Sequence, residues 1–206
     1  MLEHIPAWLG KALDSIRAGP DKLAIARPEL GSAFGALDLS SPAFTDGARL
    51  PERFTADGEG TSPPLVWGAP PEGTALFALL VEDPDAPAPQ PLVHAVVWGI
   101  PADAGRLAEG AIVGDGAGSP DRDVGRNSYR REGWLPPDPP AGHGSHRYVF
   151  QLFALSGDVG APGETPGRGA IVEAMAGHVL AAGVLVGTYS RGEEAPVGPI
   201  GTIAMA

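Results

Sequence analysis

The sequence has no cysteine among its 206 residues. A disulfide framework, a thiol nucleophile and a thiolate metal site are therefore excluded. Basic residues are also scarce, since 14 Lys and Arg stand against 25 Asp and Glu and give a formal net charge of −11. A nucleic-acid face needs clustered basic side chains, and we expect the densest group, Arg126, Arg130 and Arg131, to lie in a solvated loop. We therefore expect no nucleic-acid partner.

Long apolar runs are absent as well, and none is long enough to span a membrane. The N-terminus lacks the apolar core of a signal peptide, and a chain without cysteine is compatible with a reducing compartment. We therefore expect a soluble, cytoplasmic protein with no integral membrane segment. No phosphate loop with its lysine and no nucleophile elbow is present. We also expect no cofactor.

Glycine and proline are abundant, with 30 and 23 copies, while 43% of the residues are hydrophobic. Because these residues punctuate apolar runs, the pattern predicts many short strands joined by tight turns. Residues 1–36 are expected to form a helical extension and connector, and residues 37–206 a β-rich domain. The extension contains an amphipathic stripe over Ile5 to Ala18, which Gly19-Pro20 would end.

Two apolar runs, Leu76 to Val81 and Val93 to Ile100, predict a pair of buried strands. A third stretch, His146 to Leu155, is β-rich in composition and mostly apolar on both faces, and it predicts a central strand. Apolar residues between Ile171 and Leu180 recur at helical spacing and predict a helix closed by Gly183, followed by a last strand from Val184 to Tyr189. Strands dominate and helices lie near the two ends, so the fold class is mainly β, a sandwich with peripheral helices.

A charged turn, Asp83-Pro84-Asp85-Ala86-Pro87, joins the first two strands. Its prolines restrict the backbone and hold two carboxylates in a stiff loop. Asp83, at the strand end, is expected to face a pocket. For Asp85, a side chain that caps a tight turn is at least as good an explanation.

Histidines supply the second chemical signal. His94 lies in an apolar run, His143 precedes the predicted central strand and His146 begins it. Two histidines and a carboxylate can hold a metal ion, but no pair has the helical spacing of known zinc motifs. Imidazole N–H groups and the Tyr148 hydroxyl can instead donate to an anion. Because carboxylates repel anions, Asp83 would have to pair with a histidine or accept hydrogen bonds from an ammonium or hydroxyl group of the ligand.

Four stretches resemble the phosphatidylethanolamine-binding protein (PEBP) family, in particular its bacterial Raf-kinase-inhibitor-like branch. They are FTADG with SPPL (residues 54–58 and 62–65), DPDAP (83–87) followed by His94, PDPP (137–140) leading to GSHRY (144–148), and GHVL with GTY (177–180 and 187–189). The resemblance covers roughly Leu37 to Arg191 and implies a β-sandwich with a small pocket for phosphate-like anions.

Carried over by motif, the resemblance implies a ligand-binding pocket without catalytic residues or metal. Its members would be Asp83, His94, His146 and Tyr148, with walls from Ala86, Pro87 and Pro139 or Pro140. Arg147 would pair with a carboxylate and not with the ligand. Two departures lie at the rim: Pro136 stands where the family commonly has glycine, and Leu92 where an aromatic residue is often found.

The function expected from these residues is binding of a small phosphorylated or phosphate-like ligand, with a possible regulatory role. Two alternatives remain open. One is a small-molecule enzyme that uses the same His and Asp as acid and base. The other is an inhibitor of a kinase or protease that acts through its surface. The resemblance and the extra helix also suggest a homodimer.

Overall fold

The computed structural model describes Lys11 and residues 15–31, 33–114, 122–163 and 165–191. The nine strands of this part are β1 Gly35–Ala36, β2 Leu39–Ser40, β3 Leu65–Trp67, β4 Thr74–Asp83, β5 Leu92–Pro101, β6 Arg106–Leu107, β7 Asp123–Val124, β8 His146–Ser156 and β9 Val179–Tyr189. The helix α1 spans Arg168–Met175. Short 3₁₀ turns cover Pro20–Lys22, Ala24–Ala26, Pro28–Leu30 and Glu52–Phe54.

The strands form two sheets. The larger has the order β1-β9-β8-β4-β5-β7, and the smaller has the order β2-β3-β6. All pairings between the long strands are antiparallel, whereas β1 runs parallel to β9. This arrangement confirms the mainly β fold expected from the sequence.

Strand β4 shows why its apolar run is continuous. Phe77, Leu79 and Val81 belong to the core that also contains residues of the smaller sheet. The alternate residues Ala78 and Leu80 belong to a second core on the helix side. Because successive side chains of a strand point to opposite faces, a strand covered on both faces is apolar at every position.

The helix near the C-terminus is shorter than predicted. It ends at Met175, Gly177 adopts a φ of +79°, and β9 begins at Val179. Val179 pairs with Leu155 of β8, so the last part of the predicted helical stripe is strand. Gly183 lies inside β9 and does not close the helix. Short apolar stretches fit both periodicities, and here pairing with a buried neighbour decides in favour of the strand.

The predicted N-terminal helix falls mostly outside the described residues, and residues 16–19 at its expected end are not helical. The following connector lies against the helix side of the sheet, where Ala24 and Leu30 are buried. The buried carboxylate of Glu82 accepts the Ala24 N–H at 2.7 Å and pairs with Arg168 of α1. The domain boundary near residue 36 stays a prediction.

Candidate functional site

A cavity of about 240 Å³ opens where β4 ends and where β5 and β8 begin. Because β4 is antiparallel to both neighbours, its last residue, Asp83, pairs with Leu92 at the start of β5. On the other side Glu82 pairs with Val149, three residues into β8. Residues distant in sequence thus meet at one end of three neighbouring interior strands, β8, β4 and β5.

The structure brings all of the residues expected at the pocket to this cavity. Those that line it are Asp83, Ala86, Pro87, His94, Pro139, Pro140, His146 and Tyr148. Seven further lining residues were not predicted as site members, namely Ala56, Leu92, Tyr129, Arg131, Leu135, Pro136 and Asp138. The two rim departures, Leu92 and Pro136, therefore lie in the wall, and their effect on binding stays a prediction.

Asp83, His146 and His143 form a hydrogen-bonded chain. His146 Nδ1 donates to Asp83 Oδ2 at 2.7 Å, and His146 Nε2 lies 2.7 Å from His143 Nδ1. All three side chains are buried. Both nitrogens of His146 are therefore engaged within the protein. Contrary to the expectation from the sequence, this imidazole has no free N–H to donate to a ligand.

In the turn after β4 the side chain that caps the turn is that of Asp83, whereas the sequence pattern makes Asp85 a candidate for this role. Asp83 Oδ1 accepts the backbone N–H of Asp85 at 2.8 Å, so Asp83 makes the turn bond. Asp85 instead accepts the backbone N–H of Arg147 at 2.9 Å and its guanidinium Nε at 2.7 Å. Arg147 thus pairs with a carboxylate, as the resemblance implied.

Ion pairing controls the charge of Asp85. Burial alone would raise the pKa of this carboxyl, but hydrogen bonds from Arg147, and from Arg17 at 3.0 Å, bring it down to about 2. The carboxylate is therefore ionised over the whole physiological range. It provides a fixed negative charge in the turn after β4, and this charge pairs with Arg147 and Arg17.

His94 has one engaged nitrogen and one that finds no partner in the described part of the chain. Its Nδ1 donates to the Leu135 carbonyl at 2.6 Å, while the Leu135 N–H donates to the His94 carbonyl at 2.8 Å. Within the described residues, the buried Nε2 has no hydrogen-bond partner. Burial lowers the pKa of the imidazole, although the charge of Asp83 opposes the shift. Neutral His94 therefore presents a lone pair at Nε2.

Tyr148 lies beside His94, with the ring centroids 5.0 Å apart in an edge-to-face arrangement. Burial raises the pKa of its phenol well above the usual value, and the charge of Asp83 adds to the shift. The hydroxyl therefore stays protonated and can donate to a ligand.

The cavity lining carries two carboxylates and one guanidinium, on Asp83, Asp138 and Arg131. Asp138 pairs with Arg191, which also bonds Asp57. Arg131 belongs to the basic group that was expected to lie wholly in a solvated loop, and it is exposed but reaches the cavity. Among the described residues, no three His, Asp or Glu side chains converge as a metal-binding group.

Sequence reasoning missed members whose signal was weak. Asp138 lies inside the PDPP stretch and could have been read as a second carboxylate of the site. Leu135 acts through its backbone, for which the residue type gives no signal. His143, a possible metal ligand on sequence grounds, lies outside the lining and instead contacts His146.

The chain belongs to the PEBP family, because the family model described as phosphatidylethanolamine-binding protein matches residues 40–190. A UPF0098 protein of Methanothermobacter thermautotrophicus is 40% identical over 158 residues, which cover 76% of this chain and all of that protein. A UPF0098 protein of Aquifex aeolicus is 39% identical over 167 residues, covering 79% and 94% of the two chains.

Solved structures agree with this membership. The crystal structure of Escherichia coli YbcL, described as a member of the mammalian PEBP family, has a TM-score of 0.70 and 28% identity. The match covers 76% of this chain and 99% of YbcL. A PEBP homologue from Chlamydia trachomatis has a TM-score of 0.68 and 32% identity, with the same coverage of both chains. Among the described residues, no helix has the length and apolarity that crossing a bilayer requires.

Proposed function

We propose that this protein binds a small phosphorylated or phosphate-like ligand in the cavity at the end of β4. The observation that carries the proposal is that His94 and Tyr148 lie side by side in the cavity wall. One offers a buried nitrogen without a partner within the described residues, and the other a hydroxyl kept protonated. An unpaired buried polar atom costs free energy, and a ligand that bonds it would recover that cost.

The charges of the lining restrict the form of the ligand. Asp83 and Asp138 repel a fully ionised phosphate, and neutral His94 accepts a hydrogen bond at Nε2 but cannot donate one there. The favoured ligand therefore brings its own proton, as a phosphate monoanion does through P–OH or a phosphoester through a neighbouring hydroxyl or ammonium. Arg131 at the lining would face the remaining negative charge.

A second candidate function is supported by one observation. A neutral imidazole with a free lone pair inside a cavity is suited to act as a general base. Burial favours the neutral form of His94, and none of the described residues bonds its Nε2. In that case His94→Gln would abolish turnover of a substrate found by screening small phosphoesters. Failure of the native protein to turn over any member of such a screen would retire this candidate.

Histidine NMR tests the binding proposal. Inorganic phosphate at millimolar concentration should shift the imidazole signals of His94 in the native protein. The signals of His178, which pairs with Asp158 outside the cavity, should not move. The same addition to His146→Ala, which breaks the chain to Asp83, should give little or no shift. Native signals that stay fixed would contradict the proposal.

We also propose a cytoplasmic location and a homodimer, while inhibition of a kinase or protease remains an alternative function. Cell fractionation tests the first, and sedimentation of the purified chain tests the second. Capture of one partner that persists in His94→Gln would favour an inhibitor that acts through its surface and not through the cavity.

A further inference from the structure

A segment that precedes the family match contacts the cavity loop directly. The Ala18 N–H donates to the Ala86 carbonyl at 3.0 Å, and the Gly19 N–H donates to the Pro84 carbonyl at 2.9 Å. Ala86 is itself a wall residue of the cavity. The matched region begins only at residue 40, so part of the cavity wall is held by chain outside it.

Arg17 extends this contact to a second loop. Its guanidinium donates to the carbonyls of Ser145 and His143, at 3.2 Å each, and pairs with Asp85 at 3.0 Å. One side chain therefore joins the turn after β4 to the residues immediately before β8. A guanidinium suits this role because its donors form a rigid planar fork.

Two of these three partners, Asp85 and His143, are each one hydrogen bond away from a residue that lines the cavity. The backbone N–H of Asp85 donates to Asp83 Oδ1 at 2.8 Å. The ring of His143 lies 2.7 Å from His146 Nε2, and His146 in turn bonds Asp83. Arg17 thus holds both ends of the Asp83–His146–His143 chain, one through Asp85 and the other through the His143 carbonyl.

We propose that Arg17 is a positioning residue of the cavity, and that residues 17–19 form a strap that sets the spacing of its two loops. The proposal deepens the proposed function and rests on it for the effect on ligand affinity. The strap does not touch the ligand. It fixes, through Asp85 and His143, the geometry of Asp83 and His146, which do line the cavity.

Loss of Arg17 should leave the fold intact. Asp85 would keep its bonds to the backbone N–H, Nε and Nη2 of Arg147. Arg17 itself is about one-third exposed, so its removal opens no large buried void. The substitution therefore perturbs geometry more than stability, and a variant without it can be studied as a folded protein.

The experiment compares Arg17→Ala with native protein, Arg17→Lys and Arg27→Ala. Arg27 serves as the matched control because it belongs to the same N-terminal segment but pairs with the exposed Glu29. The first readout is the imidazole ¹⁵N shifts of His143 and His146 without ligand. The second is the affinity for inorganic phosphate by calorimetry.

Arg17→Ala should move the signals of both histidines and weaken phosphate binding about threefold to tenfold, which corresponds to about 0.7–1.4 kcal/mol. Arg17→Lys should restore binding in part, because an ammonium replaces the charge but not the fork. Arg27→Ala should match the native protein in both readouts. Histidine signals unchanged in Arg17→Ala, or moved signals with native phosphate affinity, would overturn the proposal.

The two failures can be told apart. If the native protein does not bind phosphate, the proposed function fails, and the ligand-free histidine signals alone decide the role of Arg17. Moved signals in Arg17→Ala then support the strap, and unchanged signals refute it.

Discussion

Replacement of Asp85 by Asn should destabilise the protein in a way that depends on pH. Asp85 is buried and holds Arg147 through three hydrogen bonds. Its pKa in the folded protein is about 2, against an ordinary value of 3.8. A carboxyl whose pKa is lowered by folding stabilises the native state above its unfolded pKa and loses that contribution as the pH falls towards the folded value.

The size of the effect follows from this interval. One pKa unit corresponds to about 1.4 kcal/mol, so the ionised form of Asp85 contributes about 2 kcal/mol at pH 6. At pH 3, midway through the titration window, about half of this should remain. Asn resembles the protonated carboxyl, so the stability gap between native protein and Asp85→Asn should narrow from about 2 to about 1 kcal/mol over this range.

Urea unfolding followed by tryptophan fluorescence at pH 6 and pH 3 measures this gap, since the chain has four tryptophans. Asp103→Asn is the control, because Asp103 is exposed and its replacement should change stability little at either pH. A gap of equal size at both values, or no gap at pH 6, would refute the reasoning.

Three further predictions concern the sheet, the connector and the cavity. Gly183→Ala should lower the free energy of unfolding in urea by about 1–3 kcal/mol, because the new Cβ would lie 2.5 Å from the Leu37 carbonyl oxygen. Gly169→Ala is the control, since the space around Gly169 is open, and it should be neutral or stabilising in the same assay. Glu82→Gln should lower the free energy of unfolding by about 3 kcal/mol, since it leaves Arg168 without its buried counter-charge. Thermal or chemical unfolding measures the loss, and a loss smaller than that of Gly183→Ala would contradict this prediction. Phosphate affinity should fall between pH 6 and pH 8 in calorimetric titrations, because the ligand loses the proton that the cavity requires; rising affinity would be incompatible with a carboxylate-lined site.

Much of the fold could be predicted from local pattern. The runs at Leu76 to Val81 and Val93 to Ile100 are apolar on both faces, and a strand in the interior of a covered sheet has this pattern. The boundary between α1 and β9 could not be predicted this way. Val179 and Leu180 satisfy helical spacing, but they lie where Leu155 provides a pairing partner.

The candidate site divides along similar lines. Carboxylate, imidazole and phenol side chains have recognisable chemistry, so motif reasoning could place Asp83, His94 and Tyr148 together. It could not show which nitrogen of each histidine is occupied, because that depends on a backbone carbonyl at Leu135 and on the ring of His143. The contact of Arg17 with residues more than 120 positions away leaves no local trace in the sequence.

Calorimetric titration of inorganic phosphate at pH 6 tests the central claim most directly. The native protein and His178→Gln should each bind phosphate at one site with the same affinity. His94→Gln should bind at least about tenfold more weakly, since a hydrogen bond to a charged ligand is worth about 1.5 kcal/mol or more. Equal binding by His94→Gln and the native protein, or no binding by either, would contradict the account.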